Sequence, residues 1–142
     1  MYDVYENRVR FAETDQQGVV FYGEYVTYQD EAMSAFLREI GYDYTTMTEH
    51  EWDIHVAHVD LNYRAPARFE DTIINAIRVR SIGRASMTFE YRARRTDDTV
   101  LVDGTVTHVA VDESGTPTRI PDEFRDSVVA FQDEPPQRKN DQ

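Results

Sequence analysis

The pattern of apolar and polar positions changes its period early in the chain. Between Tyr5 and Phe11, both expected on the buried face, apolar residues alternate with arginines, which is typical of a half-buried strand. From Tyr25 to Ile40 apolar residues recur three or four positions apart, which predicts a helix of about four turns with a wide apolar face. Gly41 follows at once, where glycine commonly ends a helix. One strand and one long helix are therefore expected first.

Four later segments alternate between apolar and polar residues and predict four further strands, at positions 54–63, 72–80, 85–94 and 100–111. The side of the first segment expected to face the core carries Ala57, Val59, Leu61 and Tyr63. Polar turns separate the segments, so successive strands are expected to run antiparallel. Apolar residues at helical spacing between positions 117 and 131 predict a short second helix. The predicted fold class is α+β, with a five-stranded antiparallel sheet that covers the one long helix.

Length and composition indicate one domain with a single core. The chain has 142 residues, close to the size of an ordinary domain. We assign residues 1–131 to this domain. We expect residues 132–142, which are mostly polar and include two prolines, to form a disordered tail. A sheet of this kind also leaves strand edges unpaired, which favours association with a second subunit.

The charge balance is strongly acidic. The formal net charge is −12 at pH 7, and Lys139 is the only lysine. Nucleic-acid binding needs a basic footprint, so that class of partner is not expected. The scarcity of lysine resembles the surfaces of proteins from high-salt cytoplasms. If that holds, salt should screen the self-repulsion of the chain, and dilute buffer should lower its stability.

Several absences in the sequence favour a cytoplasmic protein that needs no metal or cofactor. There is no cysteine, which fits a reducing compartment. No apolar run approaches the roughly 20 residues of a membrane span, and the N-terminus lacks the pattern of a signal peptide. The four histidines do not have metal-ligand spacing, and there is no phosphate-binding loop or dinucleotide-binding glycine pattern.

The segment that joins the first strand to the long helix holds the residues best suited to reaction chemistry. A carboxylate at Asp15 and a glycine at Gly18 precede the helix start, where unpaired backbone N–H groups attract oxyanions. The carboxylate could act there as a base or as a nucleophile. Glu13 is a second candidate carboxylate, further from the glycine turn. Taken alone, the local pattern is equally typical of a capped turn ahead of a core helix.

Three stretches of the sequence together resemble a known enzyme family. They are Arg10–Tyr25 (RFAETDQQGVVFYGEY) with the long helix after it, Leu61–Ala67 (LNYRAPA) ahead of Asp71, and Ile120–Pro121. In this combination the chain resembles the hotdog-fold acyl-CoA thioesterases, specifically the 4-hydroxybenzoyl-CoA thioesterase-like branch. The resemblance covers nearly the whole predicted domain.

The resemblance implies a fold, an assembly and a substrate. In this family the sheet wraps around the long helix. The subunits form homodimers or homotetramers, and the active site lies at the subunit interface. The substrate is an acyl-CoA thioester, and no cofactor takes part.

The resemblance also implies roles for particular residues. Asp15 matches the family's catalytic carboxylate, and the backbone N–H of Tyr22 matches its oxyanion donor. Gly18, Val19 and Val20 lie between them and are expected to contact the substrate. Many relatives have histidine at the position of Val19, whereas the branch with Val-Val-aromatic-Tyr lacks it.

A gap in the acidic residues points to a site for the phosphates of the coenzyme. Residues 72–89 contain no Asp or Glu but three arginines. Arg84 matches the region where relatives meet the coenzyme's phosphates, and Ser86 is expected to hydrogen-bond the pantetheine arm. A solvated strand face is an equally good interpretation for Arg84, and a better one for Arg78 and Arg80.

Two other functions stay open from the sequence. A hydratase or dehydratase of the same fold would generally need a histidine beside the acid, and none follows Asp15. A non-catalytic acyl-CoA-binding module would keep the Arg84 region and the dimer but would not depend on Asp15. The acyl group itself is not predicted, because Phe21, Tyr22 and Tyr25 suit an aryl group or a medium acyl chain equally well.

Overall fold

Six strands, three α-helices and one 3-10 helix form the part of the chain that this computed structural model describes, residues 1–139. In chain order they are β1 (Tyr2–Arg8), the 3-10 helix (Phe11–Glu13), α1 (Glu24–Glu39), α2 (Tyr44–Glu49), β2 (Trp52–Tyr63), β3 (Thr72–Ile82), β4 (Ser86–Arg95), β5 (Val100–Asp112), α3 (Asp122–Phe131) and β6 (Gln137–Arg138). The predicted order of one strand, one long helix, four strands and a short helix is confirmed. Within residues 1–139 no helix is both long and apolar enough to span a membrane.

The long helix α1 packs one wide apolar face against the sheet. Its buried residues follow helical spacing, and Phe36 and Leu37 are fully buried. This face lies against β1 and β3. Glu24 in the first turn and Arg38 in the last turn have the charges that the helix dipole favours. Directly after the helix, Gly41 has a φ of 78°, a conformation that glycine adopts without strain, so the predicted stop is confirmed.

The sheet has the strand order β1–β3–β4–β5–β2, and neighbouring strands in it are antiparallel. β4 lies at its centre, and the inward side chains Phe89 and Tyr91 are fully buried. The predicted five-stranded antiparallel sheet over α1 is confirmed. A short sixth strand, β6, is added in parallel along the edge of β3, beyond the end of β1.

Most of the β2 side chains that were predicted to face the core are exposed. Among the described residues it pairs only with β5, and a β-bulge between Val56 and His58 shifts its alternation. Val56, Val59 and Tyr63 are 55%, 39% and 51% exposed. Of the four residues predicted to face the core, only Leu61 packs against it. The reason is that α1 packs on β1 and β3, at the other side of the sheet.

The first strand ends earlier than predicted. β1 runs from Tyr2 to Arg8, and the chain then turns into the 3-10 helix. Phe11 lies in this turn and is 75% exposed, so its predicted place on the buried face is wrong. Its ring instead meets Phe69 edge-on, with 5.9 Å between the ring centroids. The alternating pattern did not show where the strand hydrogen bonds stop.

The C-terminal segment is ordered along β3 as far as the structure describes it. The side chain of Gln132 is buried, where it accepts a hydrogen bond from the Val79 amide at 2.7 Å and donates one to the Val79 carbonyl at 3.1 Å. β6 then pairs with Ser81 and Ile82. The predicted disordered tail is therefore wrong for residues 132–139, because partners more than 50 residues away hold this polar segment. Residues 140–142 lie outside the described part of the chain.

Candidate active site

The loop between the 3-10 helix and α1 holds Asp15 in a tight turn. The Asp15 amide donates to the Val19 carbonyl at 2.9 Å, and the Gly18 amide donates to the Asp15 carbonyl at 3.0 Å. Oδ1 of the carboxylate accepts a hydrogen bond from the Gln17 amide at 2.8 Å. No hydrogen bond from a described residue reaches Oδ2. One carboxylate oxygen thus fixes the side chain, and the other is available for a reacting group.

Gly18 makes this turn possible. Its φ is +79°, in the left-handed region that residues with a Cβ rarely adopt. A Cβ at this position would lie 3.9 Å from Nη1 of Arg68, which is an ordinary contact. The need for glycine therefore comes from the backbone conformation and not from a lack of space.

The neighbouring valines tie the loop to the segment that follows β2. Val19 forms a single antiparallel bridge with Arg68, and the Val20 amide donates to the Ala67 carbonyl at 2.9 Å. Val20 is buried, whereas Val19 is partly exposed. These contacts bring two of the stretches that carry the sequence resemblance together. The contacting residues are more than 40 positions apart in the chain.

The start of α1 offers unpaired backbone donors beside Asp15. Within residues 1–139 neither the Tyr22 amide nor the Gly23 amide donates a hydrogen bond to another group. The Tyr22 carbonyl accepts a hydrogen bond from the hydroxyl of Tyr63 at 3.1 Å, which fixes the peptide that links Tyr22 to Gly23. Free N–H groups at a helix start carry a partial positive charge, so they suit an oxyanion.

Asp15 and Tyr22 line the same cleft, whose volume is about 370 Å³. Its other lining residues are Gln17, Val19, Val20, Tyr25, Tyr63, Arg64, Ala65 and Pro66. The structure thus brings together Asp15, Val19, Val20 and Tyr22 of the predicted site, with Gly18 in the adjoining turn. The residues that line the cleft include a carboxylate, Asp15, a residue with an unpaired amide, Tyr22, and an aromatic wall.

Tyr63 was missed as a functional residue in the sequence, because its alternating position fits the apolar face of a strand. Tyr25 was expected both in the apolar face of the long helix and beside the acyl group. The Tyr25 ring is buried, and its hydroxyl has no hydrogen-bond partner among the described residues. Burial raises the pKa of Tyr25 to about 12, so the hydroxyl stays protonated at neutral pH. The Leu61–Ala67 motif was the available sequence signal for Tyr63.

The alternative carboxylate, Glu13, has a structural role. It is buried and accepts hydrogen bonds from the Tyr28 hydroxyl at 2.9 Å and from the Arg10 amide at 2.9 Å. Burial, together with the hydrogen bond to Glu13, raises the pKa of Tyr28 well above its usual range. Glu13 does not line the cleft. It connects the 3-10 helix to α1, and Asp15 is the carboxylate that faces the open space.

Arg84 and Ser86 lie at the opposite end of the same subunit. Thr72, the first residue of β3, pairs with Arg8 near the Asp15 loop, whereas Ile82, its last residue, pairs with Met87. An 11-residue strand spans about 33 Å. A single subunit therefore does not bring Arg84 and Ser86 to the cleft.

The arginine-rich stretch divides into two kinds of arginine. Arg78 forms an ion pair with Glu90, with 2.8 Å between Nε and Oε1, in agreement with its interpretation as a solvated strand residue. Arg84 instead lines a second cavity of about 330 Å³. Four further basic residues line this cavity, namely Arg119, Arg125, Arg138 and Lys139. Three of them come from α3 or from the C-terminal segment, and sequence patterns did not place any of the four beside Arg84.

Comparison with known proteins agrees with this architecture over most of the chain. Residues 9–128 match the thioesterase-like superfamily. The acyl-CoA thioester hydrolase YbgC of Escherichia coli O6:H1 is 28% identical over 105 residues, which cover 74% of this chain and 78% of that protein.

Two solved structures extend the likeness to three dimensions. The hypothetical protein TT1821 from Thermus thermophilus has a TM-score of 0.85 and 28% identity, and the match covers 92% of this chain and 100% of that one. The BH1999 gentisyl-coenzyme A thioesterase has a TM-score of 0.79 and 26% identity, and the match covers 88% of this chain and 98% of that one. The resemblance and the hotdog fold predicted from the sequence are confirmed. The chain is a thioester hydrolase and belongs to the thioesterase-like superfamily.

Proposed function

We propose that the protein hydrolyses acyl-CoA thioesters to the free acid and coenzyme A. The observation that carries this proposal is the cleft that Asp15 and Tyr22 both line, together with a Tyr22 amide that donates no hydrogen bond within residues 1–139. Thioester hydrolysis needs both parts, a group that activates or supplies the nucleophile and a donor for the oxyanion. The names of similar proteins, an acyl-CoA thioester hydrolase and a gentisyl-coenzyme A thioesterase, support this class of substrate.

The reaction can follow either of two routes with these groups. In one, Asp15 removes a proton from water, the water oxygen attacks the thioester carbon, and the C–S bond breaks to release the coenzyme thiolate. In the other, Asp15 attacks the carbon itself, the C–S bond breaks to release the coenzyme thiolate, and water then hydrolyses the resulting anhydride to the free acid and the Asp15 carboxylate. In both routes the carbonyl oxygen becomes negatively charged. The Tyr22 amide stabilises that charge, an interaction worth about a hundredfold or more in rate.

The turn residues and the tyrosines position the substrate. Gly18 holds the Asp15 turn in its left-handed conformation, and Val19 and Val20 line the path from Asp15 to the helix start. The buried Tyr25 hydroxyl forms a polar point in the otherwise aromatic wall. These contacts are with the acyl and thioester part of the substrate.

The coenzyme end of the substrate is bound across a subunit interface. β2 is an edge strand of 12 residues whose outer edge is unpaired in the described chain, and Val56 and Val59 leave apolar surface on it. Two copies of β2 that pair antiparallel about a two-fold axis would bury this surface. The assembly is a homodimer of this kind, alone or as half of a homotetramer.

This pairing would bring the cleft of one subunit close to Arg84 and Ser86 of the other. Tyr63, at one end of β2, lines the cleft, whereas the other end of β2 lies on the Ser86 side of the sheet, since Ser86 and His55 pair with the same residue of β5, Val109. In an antiparallel pair the Tyr63 end of one strand meets the other end of its copy. Arg84 and Ser86 of one subunit thereby face the cleft of the other, where they contact the coenzyme.

The test is release of free coenzyme thiol from a panel of aryl-, short-chain and medium-chain acyl-CoA thioesters in high salt. Asp15→Asn is expected to lower kcat by about a hundredfold or more without a change in the circular dichroism spectrum. The matched control is Asp97→Asn, because Asp97 accepts a hydrogen bond from the Thr99 amide, two residues on, as Asp15 does from the Gln17 amide. The control should retain full activity.

Two results would contradict the proposal. One is an Asp15→Asn protein that is folded and as active as the wild type. The other is wild-type protein that binds coenzyme A but cleaves none of the thioesters, which would favour the non-catalytic binding module. Analytical ultracentrifugation of the full chain tests the assembly, and a monomer at the assay concentration would contradict the interface site.

A further inference from the structure

We infer that the buried hydrogen bond between Glu13 and Tyr28 fixes the position of Asp15 relative to the Tyr22 amide. Glu13 and Tyr28 are then positioning residues for thioester hydrolysis, and in this respect the inference rests on the proposed function. Neither of them lines the cleft. They act on the reaction through the segment that carries the reacting groups.

Residues 13–21 form a loop whose two arms are joined by backbone hydrogen bonds. Near its tip the Asp15 amide donates to the Val19 carbonyl at 2.9 Å. At its base the Phe21 amide donates to the Glu13 carbonyl, also at 2.9 Å. Because these bonds join the arms at both ends, the loop moves as one unit. A contact that anchors its base therefore also places Asp15.

The base of the 13–21 loop also orients the Tyr22 amide. The Phe21 carbonyl accepts a hydrogen bond at 2.9 Å from the amide of Glu24, the first residue of α1. The Tyr22 N–H belongs to the same planar, trans peptide group as this carbonyl, so it points in the opposite direction. Phe21 is thus held through its amide by Glu13 and through its carbonyl by α1. The direction of the oxyanion donor follows from both contacts.

The Glu13 side chain anchors this base to the long helix. Its Oε1 accepts hydrogen bonds from the Tyr28 hydroxyl and from the Arg10 amide, each at 2.9 Å. Tyr28 lies about one turn into α1. Within residues 1–139 no other side-chain hydrogen bond joins residues 13–21 to this helix. Glu13 and Tyr28 are both buried, so loss of the hydroxyl would leave a buried oxygen short of a donor.

The ion pair of Glu13 with Arg10 contributes much less to this anchor. The Arg10 Nε lies 3.2 Å from Glu13 Oε2, but the Arg10 side chain is 75% exposed. Exposed ion pairs of this kind are weak, since both charges are well solvated when they separate. The anchor therefore depends on an oxygen that accepts the Tyr28 hydrogen bond and not on the negative charge of Glu13.

The experiment measures kcat and KM of folded variants with the thioester that the wild type cleaves best. Tyr28→Phe removes the donor and leaves the ring in place. Glu13→Gln removes the charge but keeps a carbonyl oxygen that can accept the Tyr28 hydrogen bond. The matched control is Tyr91→Phe, because Tyr91 is a fully buried tyrosine whose hydroxyl donates to the Asn75 side chain at 2.6 Å and which does not line the cleft.

We expect Tyr28→Phe to lower kcat about tenfold with little change in KM, because a displaced carboxylate still permits binding but attacks or activates water less well. Glu13→Gln should keep at least about a third of the wild-type kcat, and Tyr91→Phe should match the wild type. In the Asp15→Asn protein, Tyr28→Phe should change the residual kcat by less than about threefold, since its effect passes through Asp15.

Three kinetic results would overturn the inference in a protein that cleaves thioesters. The first is an unchanged kcat in Tyr28→Phe. The second is an equal loss from Tyr28→Phe in the wild-type and Asp15→Asn proteins. The third is a folded Glu13→Gln protein as inactive as Asp15→Asn, because the charge of Glu13 would then take part in the reaction itself.

Amide hydrogen exchange tests the same anchor without the reaction. Tyr28→Phe should speed exchange of the Asp15 and Phe21 amides about tenfold, because both are held by the 13–21 loop, whereas Tyr91→Phe should leave them near the wild-type rates. Unchanged exchange in Tyr28→Phe would overturn the anchor even in a protein that cleaves no thioester. Wild-type protein without thioesterase activity would contradict the proposed function alone.

Discussion

The burial of the His108 imidazole predicts that the protein loses stability as the pH falls. It lies on β5 with 2% of its surface exposed and packs edge-on against Phe89, with 5.5 Å between the ring centroids. Neither ring nitrogen finds a hydrogen-bond partner among the described residues. Burial lowers the pKa of His108 to about 4, because a charged imidazole would lose its hydration in the core without gaining a partner.

The sign and size of the effect follow from this depressed pKa. In the unfolded chain histidine titrates near pH 6.5, so below that pH the unfolded state binds a proton that the folded state does not. The stability contributed by neutral His108 is therefore complete above about pH 6.5 and is lost as the pH falls towards 4. Between pH 7 and pH 5 the free energy of unfolding should fall by about 2 kcal/mol from this residue, and the full loss is about 3 kcal/mol.

The assay compares urea unfolding of the wild type and of His108→Leu at pH 7 and pH 5, at constant salt and protein concentration. Both proteins share the other titrating groups, so the difference between their pH responses isolates His108. We expect the wild type to lose about 2 kcal/mol more than the variant over this range. At pH 7 the variant should be at least as stable as the wild type, because it removes two unpaired buried nitrogens. Equal losses in the two proteins would refute the reasoning.

Three further predictions concern the loop, the helix start and the charge. Gly18→Ala and Gly115→Ala place alanine at φ values of 79° and 82°, so each should lower the free energy of unfolding in urea by about 1 kcal/mol. Only Gly18→Ala should also lower kcat. Equal kcat values in the two variants would contradict a role for the Asp15 turn. Tyr63→Phe removes the hydrogen bond to the Tyr22 carbonyl, so kcat should fall about three- to tenfold with little change in KM. The control is Tyr2→Phe, which removes a hydroxyl that accepts a hydrogen bond from the Asp133 amide. Equal decreases of kcat in the two variants would contradict a specific role of the Tyr63 hydrogen bond in the reaction. Raising KCl from about 0.1 M to about 2 M should raise the Tm, since salt screens the repulsion of a −12 chain; an unchanged Tm would contradict this.

Much of the proposed catalytic site was predictable because it is local. Asp15, Gly18 and Tyr22 lie within eight consecutive residues, and the hydrogen bonds that form the turn join residues at most four positions apart. The helix start follows from the change of apolar period near Tyr25. Sequence order alone therefore placed a carboxylate close to free helix amides, and the structure adds the distances.

The sequence could not rank Glu13 against Asp15 by geometry. Both are carboxylates in the same segment, and their difference is set by Tyr28, 15 residues on from Glu13, whose hydroxyl donates to Glu13. That contact exists only when α1 folds back over the 3-10 helix. A long-range hydrogen bond thus decides which carboxylate faces the cleft.

The sequence by itself determined the elements, their order and the local turn that holds Asp15, because periodicity and turn chemistry depend on near neighbours. The tertiary structure decided what each face meets. It left Phe11, Val56 and Val59 exposed, set Arg84 about 33 Å along β3 from the Asp15 loop, and brought the polar C-terminal segment to the β3–β4 turn. These outcomes depend on strand order and on contacts between residues far apart in the chain, which no local pattern encodes.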